Sequence, residues 1–246
     1  MPTNGHSSLL RATRARPRAQ SLDERHRHTV AVDIVLFTIQ DRALKALVIK
    51  RERSPFEGSW ALPGGLVHRD EAVDAAALRE LRDETGITSV YLEQLYTFGD
   101  LGRDPRGRVI TVSYYAAVDW EQFQLKAKPR SAAQWVAVNA LPALAFDHTQ
   151  IVHYALERLR NKVNYTSVGF QLLPHTFSLT QLQRAYEVIL DQPLDKRNFR
   201  KKMLQLGILK DAGQQRAAGR RRPAKLYSFA QSHVVKLQEK GILVPF

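Results

Sequence analysis

The chain has 246 residues, 44% of them apolar, enough for one large domain or two modest ones, each able to bury its own core. It has no cysteine, which excludes disulfides, zinc–thiolate centres and thiol nucleophiles, and no apolar run approaches the ~18 residues of a membrane span. The net charge of +13 is uneven: residues 1–28 carry six Lys/Arg against two Asp/Glu, residues 29–160 carry 16 against 17, and residues 161–246 carry 15 against five. A neutral body beside a basic end points to two tasks, with a polyanion as partner for the basic part. The early residues hold no apolar segment suited to secretion, so the cytoplasm is the expected location.

Residues 1–28 are polar, Arg-rich and without period, and read as a disordered basic arm. A nucleic-acid contact and a plain solvated tail both fit it; Asp23 and Glu24 count against a transit peptide. From Thr29 the pattern turns β-rich. "VAVDIVLFTI" and "KALVIKRE" flank the polar turn "QDRA" and predict a hairpin. The loop "SPFEGSWALPGG" then leads into a helix within "GGLVHRDEAVDAAALRELRDETGI". Strand-like runs follow at "VYLEQLYTF", "VITVSYYAAV" and "AAQWVAV", and Ile151, Ala155, Leu159 and Val163 form a helical stripe. Strands flanking two helices predict a mixed α/β domain over residues 29–160.

Residues 161–246 have a different texture. Ser178 with Gln181 three residues on reads as a capping box, with Phe177 and Leu182 as the accompanying staple. After Pro193, Asp195 caps a second helix whose buried stripe is Phe199, Met203 and Leu206 and whose end is Gly207. A strand, a long basic loop and another strand follow. Helix, turn, helix and basic hairpin is the order of a winged helix-turn-helix.

Within the acidic helix Glu80, Asp83 and Glu84 share a face, beside a core-facing stripe of Val73, Ala77 and Leu81. Three neighbouring carboxylates repel one another, and a magnesium ion removes that conflict while keeping positions for phosphate oxygens. A solvated acidic face paired with Arg79 and Arg82 is the alternative that spacing leaves open. Gly65, five residues, Glu71, seven residues and then "RELRDETGI" resembles the Nudix box, with Asp83 where that family has a glutamate. The resemblance implies that Glu80, Asp83 and Glu84 bind the metal and that Glu80 and Glu84 are the catalytic remnants. It also implies that Arg79 orients a carboxylate and that Gly65 lets the chain turn beneath a pyrophosphate. The flanking "YLEQLYTFGD", "RDPRGRVITVSYYA" and "LPALAFDH" resemble the branch of the family that acts on ADP-ribose. Arg53, Trp60, Phe98 and Arg103 fall near the expected ligand pocket, and a buried structural role is equally open for Trp60 and Phe98.

Asp83 bears on activity. Its oxygens retreat by about 1.5 Å relative to glutamate on a fixed backbone, whereas magnesium demands near-octahedral ligands at about 2.1 Å. A misplacement of ~1 Å lowers a rate about a hundredfold, so a weakened metal site, with ligand binding outlasting hydrolysis, is expected. A working magnesium-dependent ADP-ribose pyrophosphatase is the alternative.

In the basic part, Lys196, Arg197, Arg200, Lys201 and Lys202 with Asn198 lie where a recognition helix would read the major groove. Arg220, Arg221, Arg222 and Lys225 lie where a wing would approach the minor groove or phosphates. A Nudix domain joined to "NYTSVGFQLLPHTFSLTQLQRAYEVILDQPLDKRNFRKKML" resembles the NrtR family, the Nudix-related transcriptional regulators of NAD metabolism. The resemblance runs from about Thr29 to Ala230. It implies a Nudix α/β/α sandwich followed by a C-terminal winged helix-turn-helix over 161–246. It further implies a homodimeric repressor of NAD biosynthesis or salvage genes that leaves a palindromic operator when ADP-ribose, an effector rather than a cofactor, fills the Nudix domain.

Overall fold

The computed structural model describes residues 27–88, 90–121, 132–163, 167–215 and 224–229. All but the last two residues of the expected basic arm, and the Arg220–Arg222 segment, lie outside the described residues. β1 (Thr29–Gln40) and β2 (Ala43–Lys50) form the predicted hairpin. The two turn residues, Asp41 and Arg42, have φ of 54° and 61°, the left-handed pair that matches the twist of the flanking strands. Lys45 Nζ closes the turn by donating to Gln40 Oε1 (2.7 Å) and Asp41 Oδ2 (3.0 Å).

β3 (Trp60–Ala61), β4 (Gly64–Leu66), β5 (Glu93–Phe98), β6 (Val109–Ala117) and β7 (Ala133–Ala137) complete a seven-stranded mixed sheet. Its order is β3-β2-β1-β6-β5, with β4 beside β1 and β7 beside β2. β1 runs parallel to β6 and takes β4 antiparallel, Val32 opposite Gly65. β3 and β4 are two and three residues long and sit inside the stretch that reads as loop, because Pro63 and two glycines interrupt any longer period. Alternate residues of β1 serve opposite layers. Val32, Ile34 and Leu36 join Ala76, Ala77 and Leu81 of α1 (Val73–Thr85), while Val35 and Phe37 meet α2 (His148–Val163). Both faces are therefore covered, which is why β1 reads as a continuous apolar run.

A 3-10 turn (Ser167–Leu172) and a short β8 (Thr176–Ser178) lead into α3 (Leu179–Leu190), α4 (Lys196–Gln205), β9 (Leu209–Gln215) and β10 (Ala224–Phe229). The three strands pair in the order β8-β10-β9 beside the helices, which is a winged helix. The capping box is complete: Ser178 Oγ accepts from Gln181 N (3.2 Å) and Gln181 Oε1 accepts from Ser178 N (2.8 Å). Asp195 Oδ1 caps α4 by accepting from Asn198 N (2.7 Å). Gly207, at φ 66°, turns the chain out of that helix as only glycine does without strain.

The two parts share apolar packing beside the layer between the sheet and α1. One apolar cluster runs from Val35, Phe37 and Tyr115 of the sheet through Ile151, Val152, Ala155, Leu159 and Val163 of α2 to Phe177, Leu182, Tyr186, Ile189, Phe199 and Met203. The stripe of α2 is wide enough to be buried by the sheet and by α3 at once. Arg160 adds a polar tie by donating from Nε to the Ile189 carbonyl (3.0 Å) at the end of α3.

At its other end α2 is fixed by a buried network. Asp33 on β1 accepts from His148 Nε2 (3.2 Å) and from Arg103 Nη2 (3.1 Å), and Arg103 also donates to Asp147 (2.9 and 2.7 Å). His148 Nδ1 accepts from Leu62 N–H (2.9 Å), so the ring proton of this side chain sits on Nε2. Burial alone would raise the Asp33 pKa, but His148 and Arg103 hold it down to about 2. The stability contributed by Asp33 is thus present above about pH 4 and lost as the pH falls towards 2. Asp33→Asn is expected to cost about 2 kcal/mol at neutral pH and to flatten the acid limb of stability between about pH 4 and 2, measured by urea unfolding across pH.

Candidate functional site

α1 ends at Gly86, whose φ of 76° gives a left-handed cap, and its C-terminal half lies against the Gly64–Gly65 strand β4. Glu80 and Glu84 are buried and turn onto that strand. Gly64 N–H donates to Glu84 Oε2 (3.0 Å). A Cβ on Gly65 would stand 2.3 Å from Glu80 Oε1, so the carboxylate sits where a side chain at 65 would displace it. Arg79 binds Glu71 (2.6 and 2.9 Å), Glu80 (2.6 Å) and the Leu66 carbonyl (3.2 Å). The hydrogen bonds from Arg79 hold the Glu71 carboxyl down at about 2. Arg79 thus orients two carboxylates across the loop.

Asp83 departs from this set. Its side chain points outward to Arg82 Nε (3.0 Å) and is 37% exposed, against 8% for that of Glu80. Among the described residues no three His, Asp or Glu side chains are grouped so as to hold a metal ion. Of the three carboxylates expected to hold magnesium, Glu80 and Glu84 brace the glycine strand and Asp83 pairs with Arg82.

The expected ligand contacts separate. Phe98 is buried in the shared core against Tyr96 and Tyr154. Arg103 is buried in the Asp33 network. Trp60 is half-buried under Lys50, and its carbonyl accepts from Ala145 N (2.8 Å). Arg53 is exposed and offers only its carbonyl, to Arg51 Nη2 (3.3 Å). The side chains that do converge beside Glu84 were not singled out in the sequence. Arg51 lies 4.7 Å and Arg106 5.8 Å from the Phe146 ring centroid, and Phe56 meets the same ring edge-on at 4.9 Å. An aromatic inside the Pro- and Gly-marked loop "SPFEG" was the one signal available for this cluster.

α4 presents its polar face outward. Lys196, Arg197, Asn198 and Lys201 are exposed, while Phe199 and Met203 are buried, Phe199 against Tyr186 (5.4 Å). Arg200 is half-buried and donates to Thr180 Oγ1 (3.0 Å) at the start of α3, so it braces the helix pair. Lys225 pairs with Asp211 (2.8 Å) across β9 and β10, which raises its pKa.

Residues 27–157 match the NUDIX domain family and residues 169–229 match the NrtR DNA-binding winged helix domain. The ADPR responsive transcriptional repressor NtrR of Acinetobacter baylyi is 40% identical over 205 residues, 82% of either chain. Shewanella oneidensis NrtR, crystallised with a 27mer DNA, superposes with a TM-score of 0.74 at 36% identity, covering 84% of this chain and 95% of that one. The NUDIX domain of the same Shewanella protein, crystallised with ADP ribose, superposes with a TM-score of 0.50 at 38% identity over 56% of this chain and 94% of that one. The chain belongs to the NrtR family, in which a Nudix domain is joined to a winged-helix DNA-binding domain.

Proposed function

We propose that this chain is an ADP-ribose-responsive repressor of NAD biosynthesis or salvage genes, acting in the cytoplasm as a homodimer on a palindromic operator. The observation that carries this reading is the unbroken packing from the Nudix sheet through α2 to the recognition helix pair. A ligand beside α1 acts on the strand and loop that hold His148, and His148 is the first residue of α2. Displacing α2 displaces α3 through Arg160 and the shared stripe. A cavity of about 960 Å³ between the β1–β2 turn, α2 and α3 gives the helix pair room to tilt.

Two winged helices on a two-fold dimer meet successive major grooves only at a spacing of about 34 Å or a multiple. A ligand that favours a dimer with another spacing releases the DNA, and differential affinity for the two arrangements is what drives the release. Residues 29–160 serve in this reading as sensor and residues 161–246 as reader. Lys196, Arg197, Asn198 and Lys201 face the groove, with Arg220, Arg221 and Arg222 on the backbone. Slow hydrolysis suits a sensor, since rapid turnover would erase the signal, and the outward turn of Asp83 supports it.

In a gel-shift titration the protein is expected to retard a palindromic promoter fragment and to release it on addition of ADP-ribose; equal retardation with and without ADP-ribose would sink the gating reading. Arg197→Ala is expected to cost about 1–3 kcal/mol on the operator and to relax base preference, measured by binding to a set of single-base operator variants. Release of AMP from ADP-ribose with magnesium is expected to be slow and to rise in Asp83→Glu; brisk release by the unaltered protein would favour the pyrophosphatase.

A further inference from the structure

The cavity of about 960 Å³ between the β1–β2 turn, α2 and α3 has a lining that packing alone does not explain. Ile39, Val138, Leu156, Leu173 and Val188 are partly buried and turn their remaining apolar surface into it. Charged groups stand around that floor. Three are carboxylates, and each is engaged: Asp41 by Lys45 (3.0 Å), Glu187 by Gln183 Nε2 (2.9 Å) and the Leu194 amide (3.1 Å), and Asp191 by Arg160 at 3.9 Å. Arg42 and Arg184 line the same cavity, are exposed, and make no ion pair among the described residues.

Arg42 stands there against the preference of its own turn. Its φ of 61° belongs to the second left-handed position of a two-residue hairpin, where glycine or asparagine is favoured. A bulky side chain kept at such a position without a local partner marks a place where it serves something else. Arg184 comes from α3, so one cation belongs to the Nudix part and the other to the winged helix. The cavity is also remote from the Gly64–Gly65 strand. Gly65 pairs with Val32 near the start of β1, and the turn lies beyond the far end of that strand, about 30 Å away at ~3.3 Å per residue.

We propose that this cleft is a second ligand site, which takes an organic anion whose carboxylate or phosphate head bridges Arg42 and Arg184 and whose apolar body lies on the floor. Ligand sites favour domain junctions, with a few charged groups fixing orientation over an apolar lining. Guanidinium groups hold both kinds of oxyanion through charge-assisted hydrogen bonds. An anion gripped by both arginines ties α3 to the β1–β2 turn and opposes the tilt of the helix pair. It therefore raises the ADP-ribose concentration needed to release DNA. That last effect rests on the functional reading above, whereas the binding itself does not.

The test is calorimetric titration of the full chain with octanoate, octyl phosphate, octanol and inorganic phosphate. One of the two anionic amphiphiles is expected to bind about tenfold more tightly than octanol or inorganic phosphate, and the better of them identifies the head group. Arg184→Gln is expected to weaken it about tenfold. Arg42→Gly is expected to do the same while leaving the thermal unfolding midpoint unchanged or raised, since glycine relaxes the left-handed turn. In the gel shift, the amphiphile is expected to raise the ADP-ribose midpoint for the unaltered chain and not for Arg42→Gly; an unmoved midpoint overturns the tie between the two parts. Octanol that binds as well as the anions, no binding of either anion, or variants that bind as the unaltered chain does overturn the site. Arg184→Gln that weakens operator binding and leaves the amphiphile unchanged marks a DNA contact and overturns it too. A chain that binds the amphiphile through both arginines but keeps its operator in ADP-ribose removes the functional reading and leaves the site standing.

Discussion

Helix α2 has to satisfy two partners with one stripe. Ile151, Ala155 and Leu159 are wholly buried, and the elements that bury them come from both sides: Val35, Phe37 and Tyr115 from the sheet, Leu182, Tyr186 and Ile189 from α3. Neither side closes its core without the helix. Its first residue is locked by Asp33 and the Leu62 amide, and Arg160 near its end holds the last turn of α3. The helix therefore has little freedom to adjust one contact without the other. Interiors packed to crystal density transmit such displacements instead of absorbing them.

Charge is handled in two ways on the two sides of that helix. In the Nudix part the arginines work in pairs with carboxylates: Arg79 with Glu71 and Glu80, Arg103 with Asp33 and Asp147, Arg106 with Asp104. These pairs fix loops and leave the body near neutrality. On α4 the side chains of Lys196, Arg197 and Lys201 make no such pairs among the described residues, so their charge is available to a phosphate backbone. Binding through such groups weakens with salt by about 0.9 per phosphate contacted on a log–log scale.

Features written in local chemistry were legible in the sequence. The Ser178 capping box, the Asp195 cap, the Gly207 exit and the α2 stripe depend on residues within a few positions of one another, and each appears where the spacing put it. What depends on distant partners was not. Phe56 and Phe146 meet across 90 residues, and nothing near either one marks the other. Phe98 and Arg103 lie close in sequence to the expected pocket, yet the fold spends both on interior packing. Helical spacing put Asp83 with Glu80 and Glu84, whereas its side chain pairs with the adjacent Arg82. A wide apolar stripe such as that of α2 does not say how many layers bury it.

The Arg160 tie makes the two parts unequal in what they owe each other. The sheet and α1 carry their own apolar layer, with Ile34, Leu36, Ala77 and Leu81 closing against one another without help from the winged helix. Among the described residues the α3–α4 pair has no comparable second layer, and the carbonyl of Ile189 is met by a side chain from the other domain. During synthesis the earlier part of a chain folds first. The Nudix domain then emerges with α2 already seated on its sheet, and the later helices assemble on a finished template. The reader is built on the sensor, in time as well as in space.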